Sequence, residues 1–333
     1  MSTLYVTQPG AEVRKKGSRL QVQWHGEVQT ALPLRIVERL VCLGPVQLSA
    51  AATRLLLEEG IPVYFCSQRG RSYGTLSAGH EDAERFLAQA ERYRDPACRL
   101  AIAKVIVSAK LCHQQRLLRR HARNHPNPPL TQIADQLDRA AATLSRRATV
   151  AEVMGVEGHA SALYFSAFGH CLRQPGITFR ERNRRPPKDP VNAILSLGYM
   201  LVLGEVVSMV IAQGLHPGLG FLHEVGRRRP ALALDLLELA RQPLVDRLTL
   251  SLFNRSVLTP NDFDATKPGD GVRLKEKSLK RYLEFYDHAM TTPFRYGSSG
   301  RTGTIRDWLR QQAETLREAI VDSVPWTPIL LEL

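Results

Sequence analysis

Glu157 in EGHASALYF, His223 in GFLHE, and Asp235 with Glu238 in ALALDLLE are the residues whose types and surroundings could do chemistry. Each sits among small or apolar neighbours, where an ionised group costs free energy unless something pairs with it. Asp235 and Glu238 are spaced i, i+3, so a helix would send both carboxylates off one face. One imidazole with two or three carboxylates is a hard, mostly oxygen donor set. It suits Mg²⁺ or Mn²⁺ better than a structural zinc. In a chain with a surplus of positive charge, such a set points to phosphodiester chemistry.

Each of these residues also has a plain structural reading. Glu157 could be a surface glutamate above a packing face of Ala160 and Ala162, although Gly158 and Ser161 would also let a second helix approach closely. His223, after Gly218, Gly220, Phe221 and Leu222, could be a hydrogen-bonded core histidine. Asp235 and Glu238 could line a solvated helix face. Their neighbours Leu232, Leu234, Leu236, Leu237 and Leu239 leave little room for solvent, which favours a functional role for the pair.

The 333 residues contain 45 Lys plus Arg against 32 Asp plus Glu, a formal net charge of +13. Such a balance is a statement about partners, and nucleic acid is the commonest polyanion. Three basic clusters bracket the acids. RERNRRPPK (180–188) supplies Arg184, Arg185 and Lys188; RRR (227–229) supplies Arg227 and Arg228; RLKEKSLKR (273–281) supplies Arg273, Lys275 and Lys277. Together they read as a track for DNA phosphates. His113, His121 and His125, interleaved with Arg116, Arg119, Arg120 and Arg123, read as a basic helix and not as a second metal site.

Other classes are disfavoured. GSSGRTG (297–303) lacks the Lys-Ser/Thr of a P-loop and reads as a connector, and Gly218 with Gly220 is only a fragment of a dinucleotide signature. The five cysteines, Cys42, Cys66, Cys98, Cys112 and Cys171, form no CxxC and read as buried reduced thiols. MSTLYVTQPG shows no secretion signal, and the longest uncharged apolar stretch, 191–204, is short for a bilayer. The expectation is a soluble cytoplasmic protein with no membrane partner.

The elements that must position these residues fall into two halves. Strand-like runs at 4–6, 20–24, 36–43 and 61–66, with a polar turn around Lys15, Lys16 and Gly17, predict a small β-domain. It would hold one helix, LSAAATRLLLEEG, ending at Gly60. From Glu81 the apolar period becomes 3.6, predicting helices over 83–93, 100–118, 130–147, 150–172, 191–213, 231–240, 244–253, 274–290 and 305–322. The expected fold class is α+β: a β-rich domain over 1–78, then a larger all-α catalytic and DNA-binding domain over 79–333.

In order along the chain, these stretches resemble one family, the CRISPR-associated integrase of spacer acquisition, also called the universal adaptation endonuclease. EGHASALYF resembles its E-G-x-A-A-x-x-Y-F signature, GFLH its G-x-L-H element, and PALALDLLE its S-L-x-x-D-L-x-E element. NRRPPKDPVNAILSLGY is similar to its N-R-R-P-P-x-D-x-x-N-A-x-L-S-x-x-Y stretch, and LYVTQPGAEVRKKGSRLQV to its N-terminal β-domain. The resemblance implies Glu157, His223 and Glu238 as ligands of Mg²⁺ or Mn²⁺, with Asp235 as a supporting catalytic acid. It also implies a homodimer formed through the β-domain, double-stranded DNA as captured fragment and repeat target, and a small second CRISPR-associated adaptation protein as partner. Two departures, Ser161 for Ala and Ala231 for Ser, remove no ligand; ELARQP puts the contact of Arg241 in question.

The expected reaction is attack of a DNA 3′-hydroxyl on a phosphodiester of target DNA. Two other readings stay open on the residues alone: a structure-specific nuclease that cleaves branched DNA without joining it, and a non-catalytic DNA-binding scaffold whose acids hold a structural ion.

Overall fold

In a computed structural model of the chain, residues 2–67, 72–78, 82–183, 186–264, 271–297 and 300–332 are described, without the side chains of Ser2 and Arg301. The chain divides into two compact units, Met1–His80 and Glu81–Leu333.

In the first unit, strands β1 (Ser2–Val6), β5 (Val37–Leu43), β7 (Val63–Cys66) and β8 (Ser72–Leu76) form one sheet in that order, parallel except for the β7–β8 edge. A second sheet runs β4 (Glu27–Pro33), β3 (Arg19–Trp24), β2 (Glu12–Lys16), β6 (Gln47–Leu48). Alternation in β2 and β3 turns Val13, Leu20 and Val22 inward, where they join Leu4, Leu40 and Val63 of the other sheet and Leu56 of helix α1 (Ala50–Glu58) in one core. The expected polar turn at Lys15–Gly17 is in fact the end of β2 with the turn at Gly17, whose φ is +59°. The sequence pattern does not predict β4, because its face is largely exposed and carries no apolar alternation; pairing with β3 creates it.

The second unit is helical: α2 (Ala83–Arg94), α3 (Pro96–Asn124), α4 (Pro128–Ala142), α5 (Val150–Phe168), α6 (Pro190–Ala212), α7 (Ala231–Ala240), α8 (Arg247–Asn254), α9 (Glu276–Thr291) and α10 (Ile305–Val321). Short side chains start them where the sequence provides caps. Asp82, Asp95, Thr149 and Asp189 each accept a backbone N–H of the first turn, and Pro96 and Pro190 occupy positions that need no N–H donor. Thr304 and Asp307 form a reciprocal capping box at α10. Two antiparallel ladders interrupt the expected all-α pattern: β9 (Phe263–Asp264) with β10 (Arg273–Leu274), and β11 (Phe294–Tyr296) with β12 (Arg301–Gly303). The second lies across the expected connector at 297–303, of which residues 298 and 299 are outside the described residues. Strands of two or three residues carry too little periodicity to be read from sequence.

α6 matches the helix expected over 191–213 within one residue at each end and runs past the uncharged stretch 191–204. A window of it has mean hydropathy 2.1, enough by length and composition to cross a membrane, and 67% of that window is buried. Glu205, beyond the uncharged stretch, is buried and paired with Arg306 Nε at 3.0 Å. Gly198 lets α6 approach closely: a Cβ there would lie 2.6 Å from Val245 Cγ1 and 2.8 Å from the Tyr282 hydroxyl. His113 is no part of a basic surface. It is fully buried on α3, its Nε2 accepts the Leu331 N–H at 3.1 Å, and burial with nearby Arg116 pushes its pKa down to about 3. Cys42, Cys66 and Cys171 are buried free thiols, whereas Cys98 and Cys112 are half-buried.

Candidate active site

In the second unit α3 packs against both α5 and α7. Each contributes one charged side chain to their junction. Lys110 of α3, 5% exposed, places its Nζ 2.7 Å from Glu238 Oε2 of α7 and also donates to Glu157 Oε1 of α5. A lysine this deep must be paired, and here it is paired twice. Ser161, one turn along α5, donates its hydroxyl to the same Glu157 oxygen at 2.8 Å. Arg241 Nε donates to the same Glu238 oxygen at 2.8 Å. Glu157 Oε2 and Glu238 Oε1 are left without a protein partner among the described residues.

His223 is held by a different device. The segment before α7 has no regular structure, and Asp235, with 0% exposure, organises it. Its carboxylate accepts the backbone N–H groups of Phe221 (2.6 Å), Leu222 (3.0 Å) and His223 (3.0 Å). It also faces the ring Nδ1 of His223 at 2.7 Å. A carboxylate at Nδ1 keeps the proton there and turns the Nε2 lone pair outward, the arrangement that orients a metal-ligating imidazole. Nε2 has no partner among the described residues, and the His223 side chain is 18% exposed. Gly220 makes the close approach possible, since a Cβ there would come within 2.7 Å of the Ala231 backbone at the start of α7.

Burial alone would raise the Glu238 carboxyl, but the Arg241 guanidinium and the Lys110 ammonium hold it well below the ordinary carboxylate range. Arg241 opens a π-helical turn, Arg241–Asp246, that follows α7, and its guanidinium carbon lies 4.4 Å from the centroid of the Tyr199 ring. Asp246 closes that turn. It is buried, accepts the Tyr164 hydroxyl at 2.8 Å and that of Tyr199, and burial pushes its pKa up to about 6 against the pull of the two hydroxyls.

The two glutamates thus meet around a cation, which is Lys110, and His223 is tied by Asp235 to the helix that carries Glu238. The full convergence expected of one imidazole and two carboxylates is not closed. Among the described residues no three His, Cys, Asp or Glu side chains form a metal-holding group. The donor set nevertheless fits a hard divalent ion: two carboxylates already gathered on one positive charge, each with an oxygen to spare, and an imidazole with an outward Nε2.

A family model, CRISPR associated protein Cas1, matches residues 4–288. A Thermus thermophilus protein named CRISPR-associated endonuclease Cas1 1 is 35% identical over 331 residues, covering 99% of each chain. The chain belongs to the Cas1 family. A Rhodospirillum rubrum protein named CRISPR-associated exonuclease Cas4/endonuclease Cas1 fusion is 36% identical and covers 98% of this chain but 57% of its own length. The solved structure of TM1797, a Cas1 protein from Thermotoga maritima, superposes with a TM-score of 0.82 at 25% identity, covering 96% of this chain and 97% of that one. A casposase bound to integration product shares the fold, with a TM-score of 0.85 at 22% identity over 98% of this chain and 93% of that one.

In this Cas1-family chain the basic clusters reach the surface from separate segments. Lys188 is exposed just ahead of α6; Arg227 and Arg228 are exposed in the turn between His223 and α7; Lys275 and Lys277 are exposed at the start of α9, and Arg273 is half-buried in β10. Arg184 and Arg185 lie outside the described residues. The first and third clusters are joined: the Val272 N–H donates to the Pro187 carbonyl at 2.8 Å. Buried Asn192 pins the first cluster to α6, accepting from Asn183 N at 3.0 Å and Arg182 Nη1 at 2.7 Å and donating to the Glu181 carbonyl at 2.9 Å.

Lys110 escaped the reading of the sequence. Its one local signal was its place, with Lys104, as one of two cations within the apolar stretch AIAKVIVSAKLC, where a buried lysine needs an acid from elsewhere in the fold. The contact of Arg241, left in question by the altered ELARQP ending, is made to Glu238. Ser161, where the family usually has Ala, binds Glu157.

Proposed function

We propose that the protein is a divalent-metal-dependent DNA integrase with endonuclease capability, inserting captured DNA into a CRISPR repeat array. The observation that carries this reading is the meeting of Glu157 and Glu238 around one positive charge at the α3–α5–α7 junction. Membership of the Cas1 family supports it.

Glu157, His223 and Glu238 would hold Mg²⁺ or Mn²⁺. Bound there, the ion would act as a Lewis acid on the scissile phosphate, a contribution worth several kcal/mol. Asp235 would fix the imidazole with its proton at Nδ1, leaving the Nε2 lone pair for the ion. Arg241 and the buried helices around Glu238 keep its carboxylate ionised and in place. Lys188, Arg227, Arg228, Arg273, Lys275 and Lys277, with Arg184 and Arg185, would neutralise backbone phosphates and set affinity more than sequence choice. A terminal 3′-hydroxyl would then attack the target phosphorus and lose its proton to solvent, while the O3′ of the cleaved target strand departs and takes a proton from solvent. One phosphodiester forms as one breaks, with no net energy source required. The β-domain would form the homodimer, and the small second adaptation protein would join two dimers on double-stranded DNA.

Strand joining tests this reading. A labelled fragment with a free 3′-hydroxyl and a repeat-containing duplex should give a joined product. A 3′-deoxy fragment should give none, and neither should Glu157→Gln or His223→Ala protein of unchanged melting temperature. Joining that survives in both variants overturns the site. Cleavage of branched DNA with no joined product from any fragment replaces integration with junction resolution.

A further inference from the structure

Lys110 has no place in the reaction as described, yet it occupies the centre of the site. Its ammonium contacts one oxygen of Glu157 and one of Glu238, with 5% exposure on a helix that carries neither acid. Together with Arg241, it gives two positive side chains that balance the two carboxylates. The pair is therefore already neutralised before any metal arrives. Buried Glu238 and half-buried Glu157 without such a partner would repel and part.

Resting on the reading of Glu157 and Glu238 as metal ligands, we infer that Lys110 is a positioning residue that stands in for the metal. It holds the two acids together in the metal-free protein and weakens their affinity for a divalent ion until DNA phosphate enters the site. The charge balance carries this. A divalent ion added to a neutral cluster has one unit of attraction fewer than it would have without Lys110, at a distance of a few ångströms. The phosphate of a bound strand restores that negative charge. Metal retention and DNA binding are then coupled through one lysine, so that the ion is held firmly only when there is a phosphodiester to act on.

The test is Mn²⁺ binding, followed by calorimetry or by the paramagnetic resonance of free Mn²⁺, on full-length protein with and without a short DNA duplex. In the parent protein, the duplex should tighten Mn²⁺ binding by about tenfold or more, an effect on the scale of one partly screened charge. Lys110→Met should bind Mn²⁺ about tenfold more tightly than the parent without DNA and gain much less from DNA. Its metal-free melting temperature should be lower and should be restored by Mn²⁺. Should Lys110→Met fail to fold, the parent protein decides alone: no change in Mn²⁺ affinity on adding the duplex overturns the inference. Equal or weaker Mn²⁺ binding by folded Lys110→Met also overturns it, and leaves the site standing if Glu157→Gln/Glu238→Gln abolishes binding. Binding undiminished in that double variant overturns the site as well.

Discussion

One oxygen of Asp235, Oδ1, accepts from His223 twice, at 3.0 Å from its backbone N–H and 2.7 Å from its ring Nδ1, so a single buried carboxylate sets both the path of the chain and the aim of the imidazole. Asp235→Asn would replace an acceptor with a donor in a cage of four donors. Strand joining should fall by about 10–100-fold, the usual effect of losing the group behind a metal-ligating histidine. Stability should fall by about 1–3 kcal/mol, the cost of unsatisfied buried donors. Urea denaturation and joining assays on one preparation check both; a variant with parental joining rates would show that Asp235 does not orient the ring.

Removing divalent ions by chelation should abolish joining, and Mg²⁺ or Mn²⁺ should restore it, because the donor set is oxygen-rich and hard. Full activity in excess chelator would exclude a catalytic ion at Glu157, His223 and Glu238.

The close contact of Gly220 with α7 predicts a contrast between two neighbouring glycines. A Cβ at Gly220 meets the Ala231 backbone carbon at 2.7 Å and its Cβ at 2.8 Å, and neither can move without shifting α7. A Cβ at Gly218 meets the His216 ring at 2.9 Å, the end of a side chain that can swing. Gly220→Ala should therefore cost about 1–3 kcal/mol. Gly218→Ala should cost clearly less, as read from denaturation midpoints at equal m-value.

Asp246 should leave a mark on the pH dependence of stability. Its pKa is raised from 3.8 to about 6, so the native state holds this proton more tightly than the unfolded chain does. The stabilisation from this group is complete below the unfolded value and is lost as pH rises through about 6. Asp246→Asn has no such proton. The stability of the parent relative to this variant should decline from about pH 4 to pH 7, measured by urea denaturation at constant ionic strength. A difference that does not change with pH would refute the assignment.

Lys275 and Lys277, exposed at the start of α9, should act on affinity alone. Their replacement by alanine should weaken binding to all duplexes alike and reduce the slope of log affinity against log salt by about 1 for each phosphate that is no longer neutralised. A change confined to one DNA sequence would mean that these lysines read bases.

Much of this protein was legible in its sequence. Period-3.6 patterns located the helices, α7 to the residue, and period-2 patterns located β1, β3, β5 and β7 among the strands, because a face buried against a core must repeat with the backbone geometry. The chemistry-bearing residues were legible as types: Glu157, His223, Asp235 and Glu238 are polar groups in apolar settings, visible wherever they end up. The contacts they make were not. Only the packing of α3, α5 and α7 brings Lys110 to Glu157 and Glu238, across 47 residues in one case and 128 in the other (238 less 110). Only the fold of the segment before α7 makes Asp235 the anchor of His223. Periodicity reports what a residue's own element does; which charges neutralise one another inside a core depends on elements far apart in the chain.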